Sequence, residues 1–198
     1  MDSAGGDTLE FETLLPKAPF RELHTRTIDQ PIDKVWADFL ALTGDEIRLL
    51  QPLFQLRGLP ARLSGKTGSA PAGTRPVLEA FADEGFVMLR EDREVTDGRA
   101  ILIFGAAGKF WSPSHNGLSA FSSPQEFNDF NEPGNAKTVA RFEVFAVDGA
   151  TRIETETLVA GTDAASTKKF ALYWAIIRGP SGLLRRSWLA AVDRRASR

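Results

Sequence analysis

The chain has 198 residues, 42% of them apolar and 25% charged, ordinary globular usage and enough length for one well-buried domain. With no cysteine and two histidines, disulfides, thiolate nucleophiles and cysteine-built zinc sites are excluded and a zinc site of any kind is disfavoured. A net charge of −2 gives no general reason to bind nucleic acid.

That charge is unevenly spread. Six arginines and one aspartate fall between Arg178 and Arg198, a net +5 that leaves −7 on the rest. The longest membrane-like run, "AILIFGAAG" from Ala100 to Gly108, is about half the length of a bilayer span, so no stable membrane insertion is expected. The acidic start lacks the basic and apolar segments of a cleaved signal, and a cytoplasmic location is expected.

Residues 1–18 mix Gly, Asp, Pro and Glu with few apolar anchors and read as a flexible arm, leaving 19–198 as a single domain. "FRELHTRTID", 20–29, reads as a first strand. Pro31 suits the first turn of a helix, where its missing N–H costs nothing, and Val35, Trp36, Phe39 and Leu40 give that helix one apolar face. Thr43 stands three residues before Glu46, the capping-box spacing, so a second short helix is expected. The Gly-, Pro- and Ser-rich stretch 58–74 reads as a long loop.

From about Arg75 the pattern is that of strands, with apolar runs at "VLEAF", "GFVML" and "AILIFGAA". Two alternating runs then flank Asp148-Gly149, a dipeptide that accepts the positive φ values of a two-residue hairpin turn. With those two as the loop, Val147 faces Ala150, Arg141 faces Glu156 and Phe142 faces Thr155. One face then carries Ala140, Phe142, Val144, Ala146, Ile153, Thr155, Thr157 and Val159. The other carries Arg141, Glu143, Arg152, Glu154 and Glu156 and is expected to meet solvent. The first face is small-residue rich, with two hydroxyls. Either there is unfilled space above it, or threonine is present simply because it favours strands.

Phe170, Trp174, Ile177, Ser181, Leu184, Trp188 and Ala191 recur at spacings of three or four, and their phase survives Gly179-Pro180. A true break has no reason to keep phase, so the spacing predicts one long helix, kinked where Pro180 cannot bond the Ile176 carbonyl. The order is therefore strand, two short helices, antiparallel strands and a long closing helix. The fold class is α+β, a helix-grip fold in which a curved antiparallel sheet wraps around the C-terminal helix.

"TIDQPIDKVW" resembles the passage from first strand to helix in the SRPBCC superfamily of START-related and Bet v 1-like proteins. "RIETETLVAGTD" followed by "FALYWAIIRGPSGLLRRSWLAAV" is similar to its last strand and closing helix, and the resemblance covers about residues 20–196. "GKFW", "TETLVAGTD" and "PSGLLRRSWL" also resemble a bacterial subgroup of that superfamily. The resemblance implies a cavity between sheet and helix for a hydrophobic or amphipathic small molecule such as a lipid, isoprenoid or polyketide-like compound. It implies no particular ligand and no catalytic motif, and the acidic arm, the 58–74 loop and the 112–135 insertion depart from the simplest members.

On this reading the ligand-binding candidates are Phe104, Trp111, Phe142, Val144, Ile153, Thr155, Thr157, Trp174, Ile177 and Ser181, in line with the largely apolar walls of small-molecule sites. For the tryptophans, core packing is the competing role, and it is the favoured one for Trp188. No cofactor or metal is expected; "NDFNEPGN", 128–135, is only a loose cluster of cation ligands. "GLPARLSGKT" misses the phosphate-loop spacing and puts Pro60 where glycine is required. His24, flanked on its strand face by Glu22 and Arg26, reads as a solvated surface residue.

His115 lies in a loop expected at the cavity mouth, where a histidine can move protons near neutral pH. A cyclase- or dehydratase-like enzyme using His115 with Thr155 or Thr157 is thus an alternative to simple binding or transport. Arg185, Arg186, Arg194, Arg195 and Arg198 read as a solvated helix end complementing the helix dipole. The alternatives are transient contact with an anionic membrane surface, or an interaction module acting through this helix.

Overall fold

The computed structural model describes residues 11–50, 73–83, 85–112 and 118–198. Strands β1 (Phe20–Ile28), β2 (Val87–Glu91), β3 (Arg99–Gly108), β4 (Ala136–Val147) and β5 (Ala150–Gly161) form one antiparallel sheet in the order β1-β5-β4-β3-β2. Around it stand helices α1 (Ile32–Leu40), α2 (Val77–Asp83), α3 (Pro124–Asp129) and α4 (Ala164–Ala196). The long α4 lies across one face of the sheet, packing on β1, β5 and α1. This is the helix-grip fold implied by the SRPBCC resemblance.

The β4–β5 hairpin has the expected register, with Val147 opposite Ala150, Arg141 opposite Glu156 and Phe142 opposite Thr155. Its two-residue turn holds Asp148 at φ 49° and Gly149 at φ 83°, positive values that match the right-handed strand twist. Helix α4 runs unbroken through Pro180. The sequence kept its apolar phase there because the inward stripe continues past the missing hydrogen bond.

Between sheet and helix, one end of the inner face is filled. Val35, Trp36 and Phe39 of α1 pack with Leu189, Val192 and Ala196 of α4 onto Phe142, Val144 and Ile153. Trp36 stacks on Phe39 at 5.0 Å between ring centres, and Phe39 meets Phe142 at 4.8 Å. The Trp36 indole N–H donates to the Asp92 carbonyl at 2.9 Å, so the buried ring keeps its polar edge satisfied.

Three local expectations change. "VLEAF" begins helix α2, not a strand; Pro76 sets the φ of its first turn, and Leu, Glu and Ala are strong helix formers. The capping pair is present, with the Thr43 N–H donating to Glu46 Oε2 at 3.0 Å, but it opens a three-residue 3-10 turn, Gly44–Glu46. Residues 11–14 are helical, not a loose arm, with Phe11 0% and Leu15 7% exposed.

The outer face of the sheet is the largest correction, because Arg141, Glu143, Glu154 and Glu156 are buried there and only Arg152 of the five meets solvent. Glu143 and Glu156 have no exposure and Arg141 has 5%. Arg141 bridges Glu143 and Glu156, the latter at 2.8 Å, while Arg99 pairs with Glu143, Arg21 with Glu156 and Arg152 with Glu154 at 3.1 Å. Phe11, Leu15 and Phe127 of α3 cover this layer together with Ile101, Ile103, Val139 and Leu158. The Phe11 ring lies 5.1 Å from the Arg141 guanidinium, close enough for a cation–π contact. Burial raises the Glu143 pKa, while Arg141 and Arg99 oppose that rise.

Candidate ligand-binding site

The site begins with the way α4 meets the sheet. At Gly182 the helix backbone comes so close to β1 that a Cβ would stand 2.7 Å from Glu22 Oε1 and 3.3 Å from His24 Nε2. Any larger residue would push the Glu22 carboxylate and crowd the His24 ring, and Gly182 sits on a helix anchored at both ends by aromatics. Toward its N-terminus Phe170 packs edge-on to Phe20 and stacks with Trp174. Toward its C-terminus Trp188 stacks with Phe81 at 5.5 Å and meets Phe142 at 4.8 Å.

Between those anchors the helix presents Ile177, Ser181 and Leu184 to a cavity of about 210 Å³. The sheet supplies Phe104, Thr138, Ala140, Phe142, Thr157 and Val159, and Phe81 and Phe86 form a side wall. The space exists because Ala140 and the two threonines replace the bulky residues that fill the α1 end of the same face. Rings dominate the lining, with Phe110, Phe170, Tyr173, Trp174 and Trp188 also contributing.

The polar groups of this wall are few and unusually exposed to one another. Arg185 lines the cavity and donates from Nη1 to Thr155 Oγ1 at 2.6 Å. Its Nε, the Thr157 hydroxyl and the Trp188 Nε1 are each shielded from solvent without a hydrogen-bond partner. Thr138, by contrast, spends its hydroxyl on the Leu158 carbonyl at 3.1 Å. Burial lowers the Arg185 pKa to about 10, with the Glu22 carboxylate opposing it, so the guanidinium stays charged near neutral pH.

Glu22 and His24 correct the surface reading of His24. In the β1–β5 register Glu22 faces Thr157 and His24 faces Thr155, which puts both on the inner face. Their side chains are 9% and 11% exposed, and His24 Nε2 lies 3.0 Å from Glu22 Oε1. The second Glu22 oxygen is buried without a partner. Glu22, His24, Thr155, Thr157 and Arg185 thus make a polar cluster under the Gly182 contact, which the sequence reading did not assemble.

Of the sequence candidates, Phe104, Phe142, Thr157, Trp174, Ile177 and Ser181 line the cavity together. Val144 and Ile153 lie instead in the filled core below α1. Thr155 is fully buried and held by Arg185. Trp111 packs beside Phe170 at 6.5 Å, outside the lining. Trp188 is both core and wall. His115 and most of the 58–74 loop, including the Gly65-Lys66-Thr67 end of the phosphate-loop-like run, lie outside the described residues.

Part of the basic end of α4 is engaged within the fold. Arg185 turns inward, Arg194 donates to the Glu46 carbonyl at 2.9 Å, and Arg195 pairs with Glu46 at 2.7 Å and Asp38 at 3.2 Å. Within the described residues no helix is long and apolar enough to cross a membrane.

No family model matches the chain, and no curated protein matches it. Among solved structures, the chain is similar to a hypothetical protein from Helicobacter pylori, at 10% identity over 92% of both chains with a TM-score of 0.38. It is also similar to Ara h 8.0201, at 12% identity over 87% of this chain and 97% of that one, with a TM-score of 0.35.

Proposed function

We propose that the protein binds one small, mostly apolar molecule in the cavity between the sheet and α4. The observation that carries this reading is the ring-lined space of about 210 Å³ with unpaired polar atoms in its wall. A core that served stability alone would fill the space and pair those atoms, since interiors are close-packed and buried polar groups are hydrogen-bonded.

Size narrows the ligand. A cavity of about 150 Å³ holds benzene, whereas drug-sized sites run from roughly 300 to 1,000 Å³. At about 210 Å³ the space suits a single substituted ring or a short branched chain. Full-length lipids and extended polyketides fit only if the walls part. The enzyme alternative draws less support, because its proton-transfer residue, His115, lies outside the described residues and one of its two hydroxyls, Thr155, already accepts from Arg185.

The test is extraction of the purified protein with organic solvent and mass spectrometry of what is released, beside native mass spectrometry of the intact complex. One compound per chain is expected, and it should be lost from an Ala140→Phe variant, whose ring fills the cavity floor. An Ala140→Phe protein that retains the compound at full stoichiometry would place binding elsewhere and overturn the reading.

A further inference from the structure

We infer that the ligand of this cavity carries an anionic head, a carboxylate or a group of similar charge and size, received by Arg185 with the Thr157 hydroxyl and the Trp188 indole N–H beside it. The inference deepens the binding function proposed above and rests on it. Its basis is a mismatch between donors and acceptors. Arg185 Nε and Trp188 Nε1 can only donate, and the Thr157 hydroxyl can donate or accept; all three are shielded from solvent and unpartnered, and all three residues line one cavity.

The charge balance points the same way. Among the described residues Arg185 makes one side-chain hydrogen bond, to the neutral Thr155 Oγ1 at 2.6 Å, and no ion pair; the Glu22 carboxylate acts on it through space, with one oxygen bonded to His24 at 3.0 Å and the other buried without a partner. A guanidinium N–H shielded from water is costly without a hydrogen-bonded acceptor, and an anion is the strongest one. An arriving carboxylate meets the bare Nε in a geometry that guanidinium groups favour. The aromatic remainder of the cavity then takes an apolar body, so the ligand class is a small aryl or short-chain carboxylic acid.

This assignment differs from a hydrocarbon-binding pocket, in which an inward Arg185 has no purpose. It also differs from a pocket for an alcohol or amide, for which a neutral wall residue suffices.

The test uses three probes with one phenylpropyl body, the isosteric pair 3-phenylpropanoate and 3-phenylpropanamide and the hydrocarbon propylbenzene, titrated calorimetrically into the full-length protein after refolding from urea has stripped any carried ligand. The acid should bind about 10- to 100-fold more tightly than the amide, as expected for a charge-assisted hydrogen bond. In Arg185→Met, which keeps the apolar stem, that preference should vanish while propylbenzene binding is kept. Equal affinity for acid and amide in the wild-type protein, or an acid preference that survives Arg185→Met, would overturn the anionic head. Propylbenzene binding with the acid excluded would overturn it too, yet keep the binding function. Binding of none of the three would overturn both. If Arg185→Met does not fold, the wild-type comparison of acid and amide decides the matter alone.

Discussion

Truncating Phe11 tests whether the covered outer face is integral to the fold. Phe11 has no exposure, rests against the Arg141 guanidinium at 5.1 Å and joins Leu15 and Phe127 over Glu143 and Glu156. A Phe→Ala change in a packed site costs about 3–5 kcal/mol. The segment lies at the protein surface, where it can retract and admit water, so the low end, about 3 kcal/mol, is the appropriate figure. Loss of the cation–π contact adds about 0.5–1 kcal/mol. With a urea m-value near the top of the 1–3 kcal/mol/M range, the unfolding midpoint of Phe11→Ala should fall by about 1 M. Leu23→Ala, at a site 46% exposed on the neighbouring β1, is the control and should move the midpoint little. Phe11→Ala unfolding within about 0.2 M of wild type would refute the reasoning. The domain would then begin near residue 19, as composition alone suggests.

Three further outcomes follow from single contacts. Gly182→Leu drives a side chain into Glu22 and His24; it should cost about 1–3 kcal/mol by overpacking and lower Tm by several degrees in a thermal scan, and an unchanged Tm would contradict the close approach. Asp163 caps α4 by accepting from the Ser166 N–H at 2.7 Å and the Gly134 N–H at 2.6 Å, which hold its pKa at about 2. Because that pKa is depressed below the unfolded value of about 3.9, the stabilisation is present above about pH 4 and lost as pH falls toward 2; Asp163→Ala should unfold at lower temperature than wild type at pH 7, and the two should converge near pH 2. Thr157→Val removes a buried unpaired hydroxyl and should stabilise the ligand-free protein by about 1 kcal/mol, raising Tm by about 2–4 °C, while weakening 3-phenylpropanoate binding; a lowered Tm would mean that the hydroxyl is satisfied after all.

How much of this was legible in the sequence depends on how local each signal is. The β4–β5 register could be read outright, because Asp148-Gly149 fixes the turn and the alternation fixes the faces. Helix α4 could be read through Pro180 because its phase is a property of one segment. The apolar run of helix α2 does not distinguish helix from strand, because short helices and strands share that pattern. The burial of His24 follows from its pairing with Thr155, a partner far along the chain that no local pattern names. Arg185 did leave a signal: it stands four residues after Ser181 and three before Trp188, on the edge of the inward stripe. The arginines around it carry the same charge, and charge does not distinguish the one whose phase turns inward. Alternation also identified the outer charged face, but it says only which side a residue takes. What covers that side was decided by Phe11 and Phe127, both remote in sequence.

The two faces of the sheet supply the strongest argument about the cavity, because one chain treats buried arginine in two ways. On the outer face Arg141 bridges two carboxylates, Glu143 and Glu156, and Arg99 shares Glu143. There, shielding from water is matched by ion pairing, as such groups require. On the inner face Arg185 meets a neutral hydroxyl and leaves its Nε bare, in the same wall as two further unpartnered polar atoms. If the bare Nε were merely tolerated, a Met or Leu at 185 would fill the wall at lower cost, and Glu22 a short distance away could have been placed to close the pair. Instead Glu22 gives one oxygen to His24 and leaves the other without a partner, and Arg185 keeps only the Thr155 hydroxyl beside the cavity. Destabilised polar groups gathered around a cavity mark a functional site more often than a structural one, and the hydrogen-bonded anion that Arg185 Nε lacks is one a ligand would bring.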